Sequence, residues 1–266
     1  MPNLRSVLCY EFQPEDLAIA TSAKDRLFRE LLPALGKASA YFSFAQIRSA
    51  VRAAELTATE GTLKVYLSEA VAKGLIHDAG RGWYSRLAKP LVLDPQPVRK
   101  LVRAVEKAFP LLDFSAWSTV QLNPWMHHLL AQPVHFLHAP AETLVSIGDQ
   151  LSADGWEVAV NPPASVATKA VQPGEKMVVL RPALGRQPPP QGRQAAVEQV
   201  LVDFIAECDP LALTDRSEAE AVVAAVLDRY LVQLASLKRY AASRKNPIKA
   251  LDAINQRHRT EESDIS

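Results

Sequence analysis

The sequence predicts a mixed α/β fold: a helical head tipped by a β-hairpin, then a larger layer of alternating strands and helices that finishes helical. Three observations predict it. Apolar residues recur at helical spacing through most of the first ninety positions, with capping signals between the runs. Short β-branched and aromatic runs alternate with helical stretches from Leu112 to Leu180. Beyond Pro188-Pro189-Pro190 the periodicity is helical nearly to the end. The 266 residues correspond to roughly two domains at about 150 residues each. Their boundary is expected near the prolines at 90, 95 and 97, giving a head over 1–90 and a larger α/β domain over 91–266.

In the head, Leu27, Leu31 and Leu32 mark a first helix over about 23–35, expected to stop at Gly36. Ser43 and Gln46 form a capping box: the hydroxyl accepts a free first-turn amide while the Gln side chain reaches back. Phe44, Ile47, Ala50 and Val51 carry a second helix to about Ala54. Thr57 and Glu60 form another box, and Leu63, Leu67, Ala70 and Val71 give a third helix its apolar stripe. Gly74 ends it, because glycine takes the left-handed conformation of a helix stop without strain. Leu75–Asp78 reads as a strand, Ala79-Gly80-Arg81-Gly82 as a tight turn and Trp83-Tyr84-Ser85 as the returning strand. Three helices followed by a hairpin is the order of a winged helix-turn-helix.

That order nominates DNA-contacting residues. With Leu67 central on the buried face, Thr62, Val65, Ser68, Glu69 and Ala72 turn outward, and Lys64, Tyr66 and Lys73 flank them. Thr59 and Thr62 lie at the helix N-terminus, whose free amides and dipole favour phosphate. Arg81 sits at the hairpin tip, placed for a minor groove or the backbone. The candidate set is Thr59, Thr62, Lys64, Val65, Tyr66, Ser68 and Arg81.

In the larger part, a helix is expected over Val98–Phe109, with Arg99, Lys100, Arg103 and Lys107 on its polar side. Strands are expected at Phe114–Thr119, Val134–His138, Trp156–Val160 and Met177–Leu180. Between them come a short helix at Asn123–His128 and a longer one at Ala141–Leu151. Past the triple proline, Val197, Leu201, Phe204 and Ile205 form one stripe, and Ala221, Val222, Ala225 and Val226 another. Leu231, Leu234 and Leu237 continue the second stripe. Pro247 opens a last helix with Ile248, Leu251 and Ile254 inward.

Charge divides the chain unevenly: +3 over 1–90, −5 over 91–237 and +3 over 238–266. Lys238, Arg239, Arg244, Lys245, Lys249, Arg257 and Arg259 make the tail basic; they offer nonspecific contacts to DNA, and a solvated helix face accounts for them more simply. A composition 48% apolar and 22% charged excludes wholesale disorder. No run approaches the about 18 apolar residues of a membrane span. The first residues lack a secretion signal, and Cys9 and Cys208 make no disulfide framework, so a cytoplasmic protein without membrane contact is expected. No GxGxxG and no GxxxxGK[ST] occurs, so no nucleotide cofactor is expected.

Nor does a catalytic constellation emerge. His127, His128, His135 and His138 invite a metal reading, but His135 and His138 face opposite sides of a strand. His127 and His128 diverge by about 100° on a helix. A metal-dependent nuclease drawing on Asp154, Glu157, Glu175 and Lys176 lacks its lysine, since Ala159 stands where one is wanted. A Ser/His/Asp hydrolase lacks its GxSxG turn, and Ser118 lies inside a strand. Trp117 and Trp125 read as core or partner-facing aromatics. The expectation is a chain that is not an enzyme and holds no metal.

The strings GLIHDAGRGWYS, AWSTVQLNPWMHH, VHFLHAPAETLVSIGDQL and VAVNPP, in that order, resemble AbiEi-type antitoxins over about residues 40–180. These are the antitoxin and regulator halves of bacterial type IV toxin–antitoxin operons, which act in phage defence. The resemblance implies a winged helix that binds operator DNA and represses its own operon, and a larger domain that neutralises a nucleotidyltransferase-like toxin. Many family members carry a more basic winged helix than the +3 found here. Two alternatives stand beside that reading: a toxin-opposing interaction protein without DNA binding, and the metal-dependent nuclease.

Overall fold

The computed structural model describes residues 22–126, 133–252 and 254. The first helical stretch comprises α1 (Ala23–Arg26), a π-helical turn over Leu27–Leu31, and α2 (Leu32–Ala38). It runs past Gly36, where the sequence expected a stop. Gly36 instead serves close approach: an added Cβ would lie 3.3 Å from Cβ of Arg86. A short strand that local periodicity did not announce, β1 (Tyr41–Ser43), leads into α3 (Phe44–Ala53). The expected box is present, with Ser43 Oγ accepting from Gln46 N–H and Gln46 Oε1 accepting from Ser43 N–H at 2.8 Å.

The next helix, α4 (Glu60–Ala72), is capped by Thr59 and not by Thr57. Thr59 Oγ1 accepts from Thr62 N–H at 3.1 Å, and the two hydroxyls pair at 2.8 Å. Leu56 and Ala58 pack against the head core, which draws the preceding residues into the connection. Gly74 takes φ +68° after the helix, as expected. The hairpin follows as β2 (His77–Asp78) and β3 (Trp83–Ser85). The three strands pair antiparallel in the order β1-β3-β2. Leu27, Phe42, Ile47, Val51, Leu63, Leu67 and Ile76 fill the core beneath.

The larger part opens with α5 (Arg99–Ala108) and β4 (Ser115–Ser118). A 3-10 helix then spans Thr119–Trp125, starting four residues before the expected Asn123. Gln121 explains the shift: its side chain accepts from Ser118 N–H at 2.8 Å and forms a capping box. His127 and His128 lie outside the described residues. Next come β5 (His135–Ala139), α6 (Leu144–Ala153), β6 (Glu157–Val160), a short α7 (Ala164–Ala170) that the sequence reading lacked, and β7 (Met177–Pro182). The sheet order is β4-β5-β7-β6, with β4 antiparallel to β5 and the remaining pairs parallel. Three helices follow, α8 (Val197–Cys208), α9 (Arg216–Arg229) and α10 (Leu234–Ser243), and residues 249–252 and 254 are helical after Pro247, where a last helix is expected, with Ile248 and Leu251 buried. The fold is mixed α/β with two sheets, as the sequence predicts.

The larger sheet is covered on both faces. Leu101, Val105, Ile147 and Leu151 of α5 and α6 pack on Leu137, Val178 and Leu180. On the other face α8 meets Trp117, Phe136 and Val179, with Trp117 fully buried and stacked on Phe136 at 4.2 Å. Trp125 stands edge-on to Tyr230 at 5.9 Å. Helix α8 is not a one-stripe helix, because α9 and α10 close over its outer side and bury Gln199, Asp203 and Glu207 as well. The inward stripe of α9 is Ala219, Val222, Val223, Val226 and Leu227; Ala221 is exposed, so the expected stripe is rotated.

A charged network lies under that cover. Arg181 on β7 forks onto Glu207 at 3.0 and 2.5 Å. Arg244 on α10 donates to Glu207 at 3.0 Å and brings Nε within 3.2 Å of Asp203, which also accepts from the Tyr240 hydroxyl at 2.9 Å. Arg244 is therefore no solvated tail residue. Neither is Lys238, whose ammonium lies 4.1 Å from the Trp83 ring centroid. Arg257 and Arg259 lie outside the described residues.

Candidate nucleic-acid interface

Helix α4 turns Leu63, Leu67 and Ala70 inward because they repeat at i, i+4 and i+7. Lys64, Val65, Ser68 and Ala72 consequently face solvent, with Val65 65% exposed. Thr59 and Arg81 are exposed too, and Thr62 is half-buried. Tyr66 departs from the outward set: it is half-buried against the head core, with Lys24 Nζ 5.8 Å from its ring centroid. Glu69 is likewise half-buried, where the helical wheel had it outward. Lys64, Val65, Ser68 and Thr59 thus share one helix, and Arg81 stands apart at the hairpin turn.

Acidic residues temper the basic face. Lys64 pairs with Glu60 at 2.7 Å, while Lys24 and Lys73 pair with Glu69 at 2.5 and 2.8 Å. The hydrogen bond from Lys64 holds the Glu60 carboxyl below the usual range, and those from Lys24 and Lys73 do the same for Glu69. All these side chains are at least a third exposed or nearly so, and such pairs add little stability. Arg81 has no ion-pair partner among the described residues.

The hairpin is clamped from behind, which sequence reasoning missed. The Tyr41 hydroxyl donates to Tyr230 C=O at 2.5 Å and accepts from Val232 N–H at 2.9 Å. Ala235 N–H donates to Ala79 C=O at 3.2 Å, Leu231 N–H to Lys89 C=O at 2.8 Å, and Lys238 covers Trp83. No local signal marks these contacts, because their partners lie more than 140 residues apart in the chain. The head therefore rests on the α9–α10 connection and the start of α10 through β1 and the hairpin turn itself, beside Arg81, and α4 stays on the open side. A groove of about 680 Å³ runs beside the clamp, bordered by Arg81, Arg239, Glu198, Gln233 and the Pro188–Pro190 segment.

Two glycines in the turn separate strain from docking. Gly80 (φ +92°) and Gly82 (φ +75°) both sit in the left-handed region. An added Cβ on Gly80 would lie 2.8 Å from Ala235 Cβ, whereas one on Gly82 meets nothing within 4 Å. Gly82→Ala is expected to cost about 1–2 kcal/mol of backbone strain. Gly80→Ala adds the clash and should cost about 1–3 kcal/mol more by thermal or urea unfolding. Equal losses for the two would deny the clamp.

The described histidines and carboxylates weighed for metal binding lie elsewhere in the fold. His135 and His138 face opposite sides of β5, His135 toward Trp156 and His138 toward Asp203. Among the described residues no three His, Cys, Asp or Glu side chains converge as metal ligands, Asp154, Glu157 and Glu175 included. No helix of the described residues is long and apolar enough to cross a membrane. No curated protein and no solved structure matches the chain. A family profile matches from the first turn of α4 through the C-terminal helices, so the hairpin, the larger sheet and α8–α10 are all within it. The chain belongs to this family, DUF6577, a family of unknown function, over residues 62–260.

Proposed function

We propose that the chain is an autoregulatory DNA-binding repressor of a bacterial toxin–antitoxin operon. Helix α4 reads the major groove and the Arg81 turn contacts the backbone or minor groove. The observation that carries this reading is the outward face of α4, where Val65, Ser68 and Lys64 stand in solvent on a head whose other side is clamped. An exposed valine with no packing role suits a thymine methyl, and Ser68 and Lys64 suit base edges and phosphate. The larger part opposes a nucleotidyltransferase-like toxin; this half of the proposal rests on the sequence resemblance alone.

Gel retardation with the chain's own upstream promoter tests the DNA half. The wild type should shift the fragment at submicromolar protein. Lys64→Ala with Arg81→Ala should weaken binding by about tenfold or more, and lower the salt slope by roughly 2, at about 0.9 per phosphate contact. Unretarded promoter at micromolar protein would overturn the repressor reading. The neutralisation of Lys24, Lys64 and Lys73 by Glu60 and Glu69 favours a second reading, an interaction protein that opposes its toxin without DNA. Co-expression with a nucleotidyltransferase-like toxin addresses the toxin half: restored growth supports it, and unrelieved toxicity removes it.

A further inference from the structure

A second cavity, of about 280 Å³, lies on the other side of the Pro188–Pro190 segment. Ser115, His138 and Gln187 line it, together with Phe114 and Arg193. It opens where β5 and β7 end, the edge at which open α/β sheets seat ligands because the loops diverge there.

Its floor holds polar atoms that the fold leaves unsatisfied. His138 is 2% exposed, and neither ring nitrogen has a hydrogen-bond partner among the described residues. Its Nε2 lies 3.3 Å from Asp203 Oδ2, out of line for a hydrogen bond, and that oxygen is also unpartnered. Asp203 Oδ1, by contrast, is held by Tyr240. Of the two residues only His138 lines the cavity, and Asp203 lies behind it; buried polar atoms are nearly always bonded, so an unbonded imidazole at a cavity wall points to an occupant that completes it. The Ser115 hydroxyl sits opposite His138 in the β4–β5 register, fixed by Gln199 and Gln187.

Charge and shape narrow that occupant. The Arg193 guanidinium lies 4.9 Å from the Phe114 ring centroid and pairs with Glu106 and Asp113. Behind the floor, Arg181 and Arg244 face Glu207 and Asp203. Arg193, the one cation among the described lining residues, is already shared by two carboxylates, which disfavours a phosphate or carboxylate occupant. Phe114 and the three prolines give apolar, flat walls. The volume is at the lower end of ligand pockets, which run from about 300 to 1,000 Å³, so a single ring system fits and a dinucleotide does not. We propose that this cavity binds an uncharged planar heterocycle of the nucleobase class, held by His138 and Ser115 at its donor–acceptor edge and by Phe114 and the prolines on its faces.

Calorimetric titration of the full chain with adenine, cytosine and uracil, in the absence of DNA, tests this site separately from the operator reading. At least one base should bind saturably in the micromolar range. His138→Leu should weaken that binding by roughly tenfold or more, the loss expected of a buried hydrogen bond. Because His138 is in the core, Gln187→Ala at the half-buried rim provides a second variant, with weaker binding expected. Nitrogen NMR of the His138 ring should show a shift on addition of the base that binds. Absence of heat with all three bases at millimolar concentration, or binding untouched by both variants, would overturn the proposal and leave a cavity filled by water.

Discussion

Glu207→Gln is expected to lower the stability of the protein by about 3–5 kcal/mol, read as a fall in the urea midpoint. The substitution keeps the shape of the side chain and removes only its charge. Arg181 forks onto that carboxylate from β7 and Arg244 reaches it from α10, so the change leaves two largely buried guanidinium groups sharing the charge of Asp203. The size follows from an uncompensated buried charge and not from a lost contact. Replacing the pair together, Arg181→Met with Glu207→Leu, should therefore restore much of the loss, since well-packed apolar residues often equal a buried ion pair. A Glu207→Gln protein with an unchanged midpoint would show that water reaches the network and screens it.

The second large effect is a divergence with pH between His138→Leu and Asp203→Asn. Burial, reinforced by Arg244, drives the His138 imidazole down to about 3. Burial drives the Asp203 carboxyl up to about 6, against the opposing pull of Arg244, Tyr240, Gln199 and Arg181. The signs are opposite. Between pH 3 and 6.5 the unfolded chain protonates His138 and the native chain does not, so this group's contribution to stability rises with pH. Between pH 3.8 and 6 the native chain keeps a proton on Asp203 that the unfolded chain has lost, so this contribution falls with pH. At about 1.4 kcal/mol per pH unit each contribution changes by about 3 kcal/mol from pH 4 to 6.5, and in the wild type they nearly cancel. His138→Leu should lose stability across that window relative to Asp203→Asn, which should gain it. Parallel stability curves for the two variants would contradict the buried geometry of both groups.

The helical head and the alternating strands were legible because they rest on local physics. Ser43 with Gln46, the stripe Leu63-Leu67-Ala70 and the Gly80–Gly82 turn each specify their conformation within a few residues. The exposure of Lys64, Val65 and Ser68 followed from the same periodicity, and that of Arg81 from its place in the turn. Thr57 and Gly36 misled where a neighbour overrode a local preference: Leu56 packed inward, and Arg86 settled on the glycine. Helix α8 defeated stripe analysis for a related reason, since a helix covered on all sides has no polar face to find.

What the sequence by itself determined is most of the helices and strands and the outward placement of Lys64, Val65 and Ser68 on α4. Only the tertiary structure decided how the sheets are ordered, that Tyr41 and Ala79 lock the head onto Tyr230–Ala235, and that His138, Asp203 and Arg244 meet. The reason is range. Capping and periodicity act over three to four residues, whereas β7 inserts between β5 and β6, and Tyr41 finds Val232 across 191 residues of chain. Such contacts are selected by the burial of apolar surface and the pairing of buried polar groups in the folded whole, quantities that no short segment carries.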